Sequence, residues 1–266
     1  MKYKVTHLTS AHPRYDIRIF LKMCSSLAKE NYLVNLVVAD GEGDEVCNEV
    51  NIFDTGAKAK GRIERMTKTV NRVYEKAKEL DSDIYHLHDP ELIPIGVRLK
   101  KLGKVVIFDA HEDLPKQLKS KPYLNVFFRK TLPLVFSVYE QFVFRKFDAL
   151  IGATPSITKK LRKINSNSLT VNNYPILGEL SSALSTKWDA RANEVCYLGG
   201  IAEIRGIKQV IASLAETPNI KLNLAGRFAE KHVEQEVKSW KVWSQVNELG
   251  FINREEAARV LAKFEP

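Results

Sequence analysis

Between Ile84 and Asp113 the chain reads strand, turn, helix, strand, turn, and this stretch decides the class of fold. Asp83-Ile84-Tyr85-His86-Leu87-His88 alternates polar and apolar residues, as a short strand does. Asp89-Pro90-Glu91 then starts a helix. Asp89 suits the N-cap, Pro90 the first helical position, and Glu91 the positive end of the dipole. Gly103 closes the helix. Val105-Val106-Ile107-Phe108 has the apolar run of a strand buried on both faces, and it ends in Asp109-Ala110-His111-Glu112-Asp113. Two strands joined in this way are parallel, so His88 and His111 emerge on the same edge of the sheet. In open α/β sheets that edge is where ligands bind.

The rest of the chain extends the pattern. Tyr3 to Leu8 reads as a strand, followed by a polar loop through Asp16 and a helix from about Ile17 to Asn31. Leu33 to Val38 is a strand, Asn51 to Phe53 a short one, and Gly61 to Leu80 a charged helix. Pro122 to Phe147 reads as a long helix broken or kinked at Pro133. Asp148 to Ala153 and Leu169 to Val171 are strands, with a helix opened by Thr154-Pro155 between them. Ile176 to Arg191 has no period and is rich in serine. A second α/β series follows, with strands at Val195 to Leu198, Ile220 to Leu224 and Val246 to Phe251. The expected organisation is an N-terminal Rossmann-like domain over 1–175, a connection over 176–191 and a partial second domain over 192–266. Three strands fall short of the roughly five or six of a doubly wound domain.

Charge narrows the partners. The chain carries a net charge of +9, and 116–163 alone nets +9, with eleven basic and two acidic residues. That segment also holds eight aromatic residues. It suits a membrane surface with anionic lipids, or its apolar stripe is the core-facing side of a helix. No nucleic-acid-binding module accompanies it, so no nucleic acid is expected. Three cysteines without metal-type spacing fit a reducing compartment. The N-terminus reads as a strand, and no window approaches the ~20 apolar residues of a membrane span. A cytoplasmic protein is expected, peripheral on the inner face of the membrane if the basic segment docks there. The chain has no GxGxxG and no Walker loop, which argues against a dinucleotide enzyme and a P-loop ATPase.

Four histidines, His7, His12, His88 and His111, lie at or just past expected strand ends. His111 is the favoured catalytic group, because Asp109, Glu112 and Asp113 flank it and would orient the ring and raise its pKa. His86-x-His88 on one strand face also resembles a chelating pair, and with His111 would make a zinc hydrolase set. The aspartate at the helix start needs no metal to explain it, and no metal is expected. Gly199-Gly200 after a strand, with Arg205-Gly206 opening a helix, suits an anion: glycine admits a phosphate and Arg205 adds a forked cation.

Taken in order, these pieces resemble glycosyltransferases of the family-4 type with the GT-B architecture. Asp16-Ile17-Arg18-Ile19-Phe20 is similar to the D-x-R-I-F helix start of bacterial surface-polysaccharide members. His86-Leu87-His88-Asp89-Pro90 and Phe108-Asp109-Ala110-His111-Glu112 are similar to that family's paired strand ends. Tyr197-Leu198-Gly199-Gly200-Ile201, Glu203-Ile204-Arg205-Gly206-Ile207, Leu224-Ala225-Gly226-Arg227 and Leu249-Gly250-Phe251 are similar to its donor domain. The resemblance implies two Rossmann-like domains, an N-terminal one for the acceptor and a C-terminal one for a UDP- or GDP-sugar. It implies sugar transfer with retention, to a saccharide or lipid-linked acceptor, without metal or cofactor. His111 would line the reacting centre, and Arg205 would sit on the donor diphosphate, approached through Gly199 and Gly200. Gly226 and Arg227 would lie on the donor side, with Phe251 and Ile252 beside the nucleobase. Asp16, Arg18 and His88 would face the acceptor. Two departures stand out. Gly200 falls where many members have arginine, and the family's E-x7-E segment is expected beyond Pro266, so normal turnover is not expected of this chain. The rival readings are a non-catalytic binding or assembly protein that retains the acceptor domain, and the zinc hydrolase.

Overall fold

The computed structural model describes residues 2–119, 125–177 and 192–264. The chain divides into two compact units, Met1–Asn173 and Tyr174–Pro266. Most of the expected connection over 176–191 lies outside the described residues.

The first unit is built on an eight-stranded sheet in the order β3-β4-β2-β1-β5-β6-β7-β8. Its strands are β1 (Lys4–Leu8), β2 (Leu33–Val38), β3 (Glu45–Cys47), β4 (Val50–Asp54), β5 (Ile84–Leu87), β6 (Val105–Ala110), β7 (Ala149–Gly152) and β8 (Ser168–Thr170). All pairings are parallel except β3 with β4. β3 has no counterpart in the sequence reading, because three residues at a sheet edge carry no period. The Ile84–Asp113 unit is as expected: β5 and β6 are adjacent and parallel, with Ile93–Lys101 as the crossover helix. Helices cover the sheet because the strands are apolar on both faces. Leu8, Leu87, Val106 and Leu150 are buried with Leu92, Ile95, Leu99 and Phe144 in one cluster, and Val34, Leu36, Val50 and Ile52 pack with Ile19, Phe20 and Cys24 in another.

The first helix has an irregular start. Phe20 N and Leu21 N both donate to the Asp16 carbonyl, so Ile17–Cys24 is wound with a wide π-type turn before Ser25–Lys29 continues as α-helix. Such turns re-aim side chains and are common at functional sites. Asp16 supplies the cap, its Oδ1 accepting from Arg18 N and Ile19 N at 2.9 Å each.

The long helix spans Val126–Phe144 and continues through Pro133, where a break or kink was expected, so the helix is not broken there. Pro133, Glu140, Val143 and Phe144 face inward, whereas Phe127, Phe128, Val135 and Phe142 are exposed. Among the described residues no helix is long and apolar enough to cross a membrane.

The second unit contains β9 (Glu194–Leu198), β10 (Lys221–Ala225) and β11 (Val246–Gly250), parallel in the order β11-β10-β9. Ile201, Ile207, Ile211, Leu222, Leu224, Val233 and Val237 form its core. Gly226, just past β10, sits at φ +148°, and a Cβ there would lie 1.8 Å from the Gly199 carbonyl oxygen. Two backbones therefore meet where no side chain fits. Gly226→Ala is expected to destabilise this unit by more than the ~1–3 kcal/mol of ordinary overpacking, because backbone has to move. A denaturant midpoint within error of the parent protein contradicts this.

Candidate active site

Parallel pairing brings the carboxyl ends of β1, β5 and β6 side by side. His7 on β1 is in register with His86 on β5, and both neighbour His88. The three rings are buried. His7 Nδ1 and His88 Nε2 lie 2.8 Å apart and share a hydrogen bond. Burial, and for His7 the neighbouring imidazoles, hold His7 well below the usual imidazole pKa; burial takes His86 down to about 3 and lowers His88 despite Asp109 nearby. All three are neutral at pH 7.

Asp109, at the end of β6, is fully buried and charged. Its Oδ2 accepts from Arg18 Nε at 3.0 Å and its Oδ1 from Arg18 Nη2 at 2.8 Å, a bidentate pair. Arg18 Nη1 donates to the Val171 carbonyl at 2.9 Å. His111 Nε2 lies 3.2 Å and His88 Nδ1 3.5 Å from Asp109 Oδ2. Burial opposes ionisation, but His111, His88 and Arg18 together hold the carboxyl well below its usual range. The Asp16 cap and the wide first turn aim Arg18 at this carboxylate. Arg18 was expected to face the acceptor; instead its guanidinium is nearly buried against Asp109 and serves to position it.

His12 sits between two carboxylates, 3.3 Å from Asp16 Oδ2 and 3.3 Å from Asp89 Oδ1. Hydrogen bonds to Asp16 and then Asp89 raise it to about 10, so it is a fixed cation. Asp89 was expected to cap the following helix, and its side chain makes no such bond. Its Oδ2 accepts from Thr9 Oγ1 at 2.8 Å, Ser10 N at 2.6 Å and Ala11 N at 3.2 Å, which ties down the loop after β1. Burial would raise its pKa, and the contacts with His12, Ser10 and Thr9 bring it to about 2 instead. Asp16 is likewise held at about 2, its burial outweighed by His12 and the capped N–H groups.

A cavity of about 290 Å³ opens at this edge, lined by His88, Asp109, His111, Glu140, Phe144 and Lys160 among others. His111 is partly exposed into it. Of the flanking carboxylates only Asp109 holds the ring; Asp113 pairs with Lys160 at 2.9 Å. Glu140, buried on the long helix, pairs with the same Lys160 at 2.7 Å. Burial raises the Glu140 pKa against the pull of Lys160. Glu140 and Lys160 are absent from the sequence reading. The signal was a lone carboxylate inside an apolar, basic helix, which is tolerable only with a partner.

The structure does not assemble His86, His88 and His111 as one ligand set. Among the described residues the groups with metal-compatible spacing are His7-His86-His88 and His88-Asp109-His111. His86 lies in register with His7 and stacks on His88, and among the described residues it forms no ligand set with His111.

In the second unit, Gly199, Gly200, Gly226, Arg227, Phe251 and Ile252 gather at the carboxyl ends of β9, β10 and β11. Gly226 N donates to the Gly250 carbonyl at 2.8 Å, and Gly199 N to the Ala225 carbonyl at 3.0 Å. A Cβ at Gly200 would meet nothing within 4 Å, so that approach is open. Arg205 is exposed on the turn Glu203–Arg205. The Arg227 guanidinium lies over the Phe251 ring at 4.7 Å. Glu248 and Glu256 stand eight positions apart, but both are engaged: Glu248 pairs with Lys238 at 2.9 Å, and Glu256 completes a capping box with Asn253.

No family model matches the chain, and no curated protein does. Solved structures match over almost its whole length. Sucrose-phosphate synthase from Thermosynechococcus elongatus is 14% identical with a TM-score of 0.70, covering 98% of this chain and 74% of its own. WaaG, a glycosyltransferase involved in lipopolysaccharide biosynthesis, is 13% identical with a TM-score of 0.65, over 98% of this chain and 72% of its own. UDP-N-acetylglucosamine 2-epimerase from Rickettsia bellii is 10% identical with a TM-score of 0.58, over 97% of this chain and 72% of its own. At such identities the likeness establishes the fold. It is the α/β GT-B architecture of glycosyltransferases, two Rossmann-like units with largely parallel sheets, the second holding three strands among the described residues.

Proposed function

We propose that the chain is a retaining glycosyltransferase that moves a sugar from a UDP- or GDP-sugar to a saccharide or lipid-linked acceptor in surface-polysaccharide synthesis. One observation carries the reading: His111 lies on a cavity at the ligand-binding edge of a parallel sheet, its Nε2 held by a buried carboxylate that Arg18 clamps. With Nε2 engaged by Asp109, His111 presents Nδ1 to a substrate hydroxyl. His88 and Asp89 shape the floor of the acceptor site, and Asp16 and Arg18 position it. In the second unit, Arg205 takes the charge that builds on the leaving diphosphate, and Gly199 and Gly200 let that group approach. Arg227, Phe251 and Ile252 form the nucleobase side, with Gly226 holding the two backbones together. The fold likeness to WaaG, a glycosyltransferase involved in lipopolysaccharide biosynthesis, is in keeping with a surface-polysaccharide role, and the epimerase among the structures of similar fold supplies the reading to test against.

Product analysis separates the readings. The transferase is expected to release nucleoside diphosphate in an acceptor-dependent reaction slowed at least ~100-fold by His111→Ala. An epimerised nucleotide-sugar without acceptor dependence favours the epimerase chemistry. A folded protein that does neither favours a non-catalytic binding role.

The long helix supports an acceptor held at a membrane surface. Phe127, Leu134, Val138 and Phe142 are each about two-thirds exposed on it, beside Lys116, Lys119, Lys130 and Lys146. An anionic bilayer at the cytoplasmic face matches that pairing of apolar and basic groups. Binding to vesicles containing phosphatidylserine is expected to fall at least tenfold between low and 0.5 M salt, and with Lys130→Glu and Lys146→Glu combined. Binding insensitive to both contradicts it.

A further inference from the structure

We propose that His7, buried on β1, is a positioning residue: through His88 and Asp109 it fixes which nitrogen His111 turns to the cavity. Three contacts make the line. His7 Nδ1 lies 2.8 Å from His88 Nε2. His88 Nδ1 faces Asp109 Oδ2 at 3.5 Å, and His111 Nε2 meets the same oxygen at 3.2 Å. The role of His111 rests on the transfer reaction proposed above; the hydrogen positions rest on the side chains alone.

The direction of the line is set at the carboxylate. Asp109 is charged, with Arg18 donating to both of its oxygens, and a charged carboxylate only accepts. The nitrogens that face Oδ2, His88 Nδ1 and His111 Nε2, therefore carry hydrogen. Burial keeps His88 and His7 neutral, and a neutral imidazole has one N–H and one bare nitrogen. His88 Nε2 is then the bare one, so His7 Nδ1–H donates to it, and His7 Nε2 is left bare.

The other end of the line gives the same direction independently. His7 Nε2 is buried and has no hydrogen-bond partner among the described residues. An orphaned buried N–H is rarer than an under-used acceptor, so the hydrogen of His7 belongs on Nδ1. The reverse direction would strand that N–H and aim the His88 Nδ1 lone pair at a carboxylate.

His7 is the firmer hold on His88. At 3.5 Å the contact with Asp109 is beyond the usual hydrogen-bond range, whereas the His7 bond is short. Held from both sides, His88 keeps its N–H on Asp109. With N–H groups from Arg18, His88 and His111 directed at it, Asp109 has no hydrogen to give. His111 keeps its own hydrogen on Nε2 and leaves Nδ1 bare, on a ring partly exposed to the cavity.

Long-range proton–nitrogen NMR of the full chain with isotope-labelled histidine, at pH 7.5, reads the tautomer of each ring. His7 and His88 are expected as Nδ1–H and His111 as Nε2–H. Free imidazole side chains favour Nε2–H, so two Nδ1–H rings are not a default result. His7→Phe keeps a ring without a donor and is expected to replace the single His88 form by exchange between both tautomers. His7→Asn, whose amide N–H can stand where Nδ1 does, is expected to retain Nδ1–H on His88. A parent protein with His7 or His88 as Nε2–H overturns the proposal, as does a folded His7→Phe in which His88 stays purely Nδ1–H. If His7→Phe does not fold, the parent spectrum and His7→Asn decide. The expected tautomers in a parent protein that transfers no sugar support the hydrogen-bond line and contradict the transferase reading, so the two fail separately.

Discussion

Lowering the pH from 6.5 to 4 is expected to destabilise the first unit steeply, because three imidazoles are buried neutral in it. An unfolded chain protonates each histidine near pH 6.5. The folded chain resists, since burial holds His7 well below that value, takes His86 to about 3 and lowers His88 as well. Above pH 6.5 the histidines are neutral in both states and contribute no pH dependence. Below it the unfolded state binds more protons than the native one, so stability falls as pH falls until the folded-state values are reached. With three protons taken up, the slope is about 4 kcal/mol per pH unit at its steepest. His86 alone, from 6.5 to about 3, amounts to roughly 5 kcal/mol in full. His12 acts in the opposite sense on the other side. Raised to about 10 by Asp16 and Asp89, its contribution is present below pH 6.5 and lost as pH rises toward 10. Asp109, held low chiefly by His111, His88 and Arg18 against its burial, contributes above about pH 4 and loses that only in stronger acid. The stability maximum is therefore expected near pH 6.5–7. Urea unfolding in chelator at pH 7, 6 and 5 measures it, and a midpoint that does not move between pH 6 and 5 contradicts it.

Arg18→Met is expected to cost about 3–5 kcal/mol of stability, because it leaves the Asp109 carboxylate buried without its cation. Methionine keeps most of the side-chain volume, so a packing void does not explain such a loss. Arg18→Lys is expected to recover little, since one ammonium cannot meet both carboxylate oxygens and the Val171 carbonyl. Adding Asp109→Asn to Arg18→Met is expected to return part of the loss by removing the stranded charge. Equilibrium unfolding in denaturant measures all three. A loss below 1 kcal/mol for Arg18→Met contradicts the clamp.

The parallel core was legible because its strands are apolar on both faces. Val106 and Phe108 pack into the core, with Ile107 half-buried and Val105 exposed on the other face, and Pro90 and Gly103 bracket a helix that returns the chain to the same edge. The edge also named the histidines, since a strand end is where a polar residue follows an apolar run. Their partners were less visible. Nothing local places β1 beside β5, so the contact of His7 with His86 and His88 depends on strand order. Asp89 reads locally as a cap, yet its carboxylate serves a loop some eighty residues earlier in the chain. Arg18 reads in the sequence as an acceptor-facing residue of the D-x-R-I-F helix start; the wide turn that directs it inward is a backbone feature that periodicity does not encode. The face of Val126–Phe144 that packs is the one with Pro133, Glu140 and Val143, although the opposite face is at least as apolar. Hydrophobicity marks that helix as amphipathic about two surfaces, and tertiary packing chooses between them.

On the proposed reading, the carboxyl edge of β9, β10 and β11 takes a nucleotide-sugar. Calorimetric titration of the folded chain with UDP- and GDP-sugars tests it most directly. Micromolar binding of one nucleotide class, weakened at least tenfold by Arg205→Ala, is the expected result. A folded chain that binds neither class, or binding that Arg205→Ala leaves unchanged, contradicts the account.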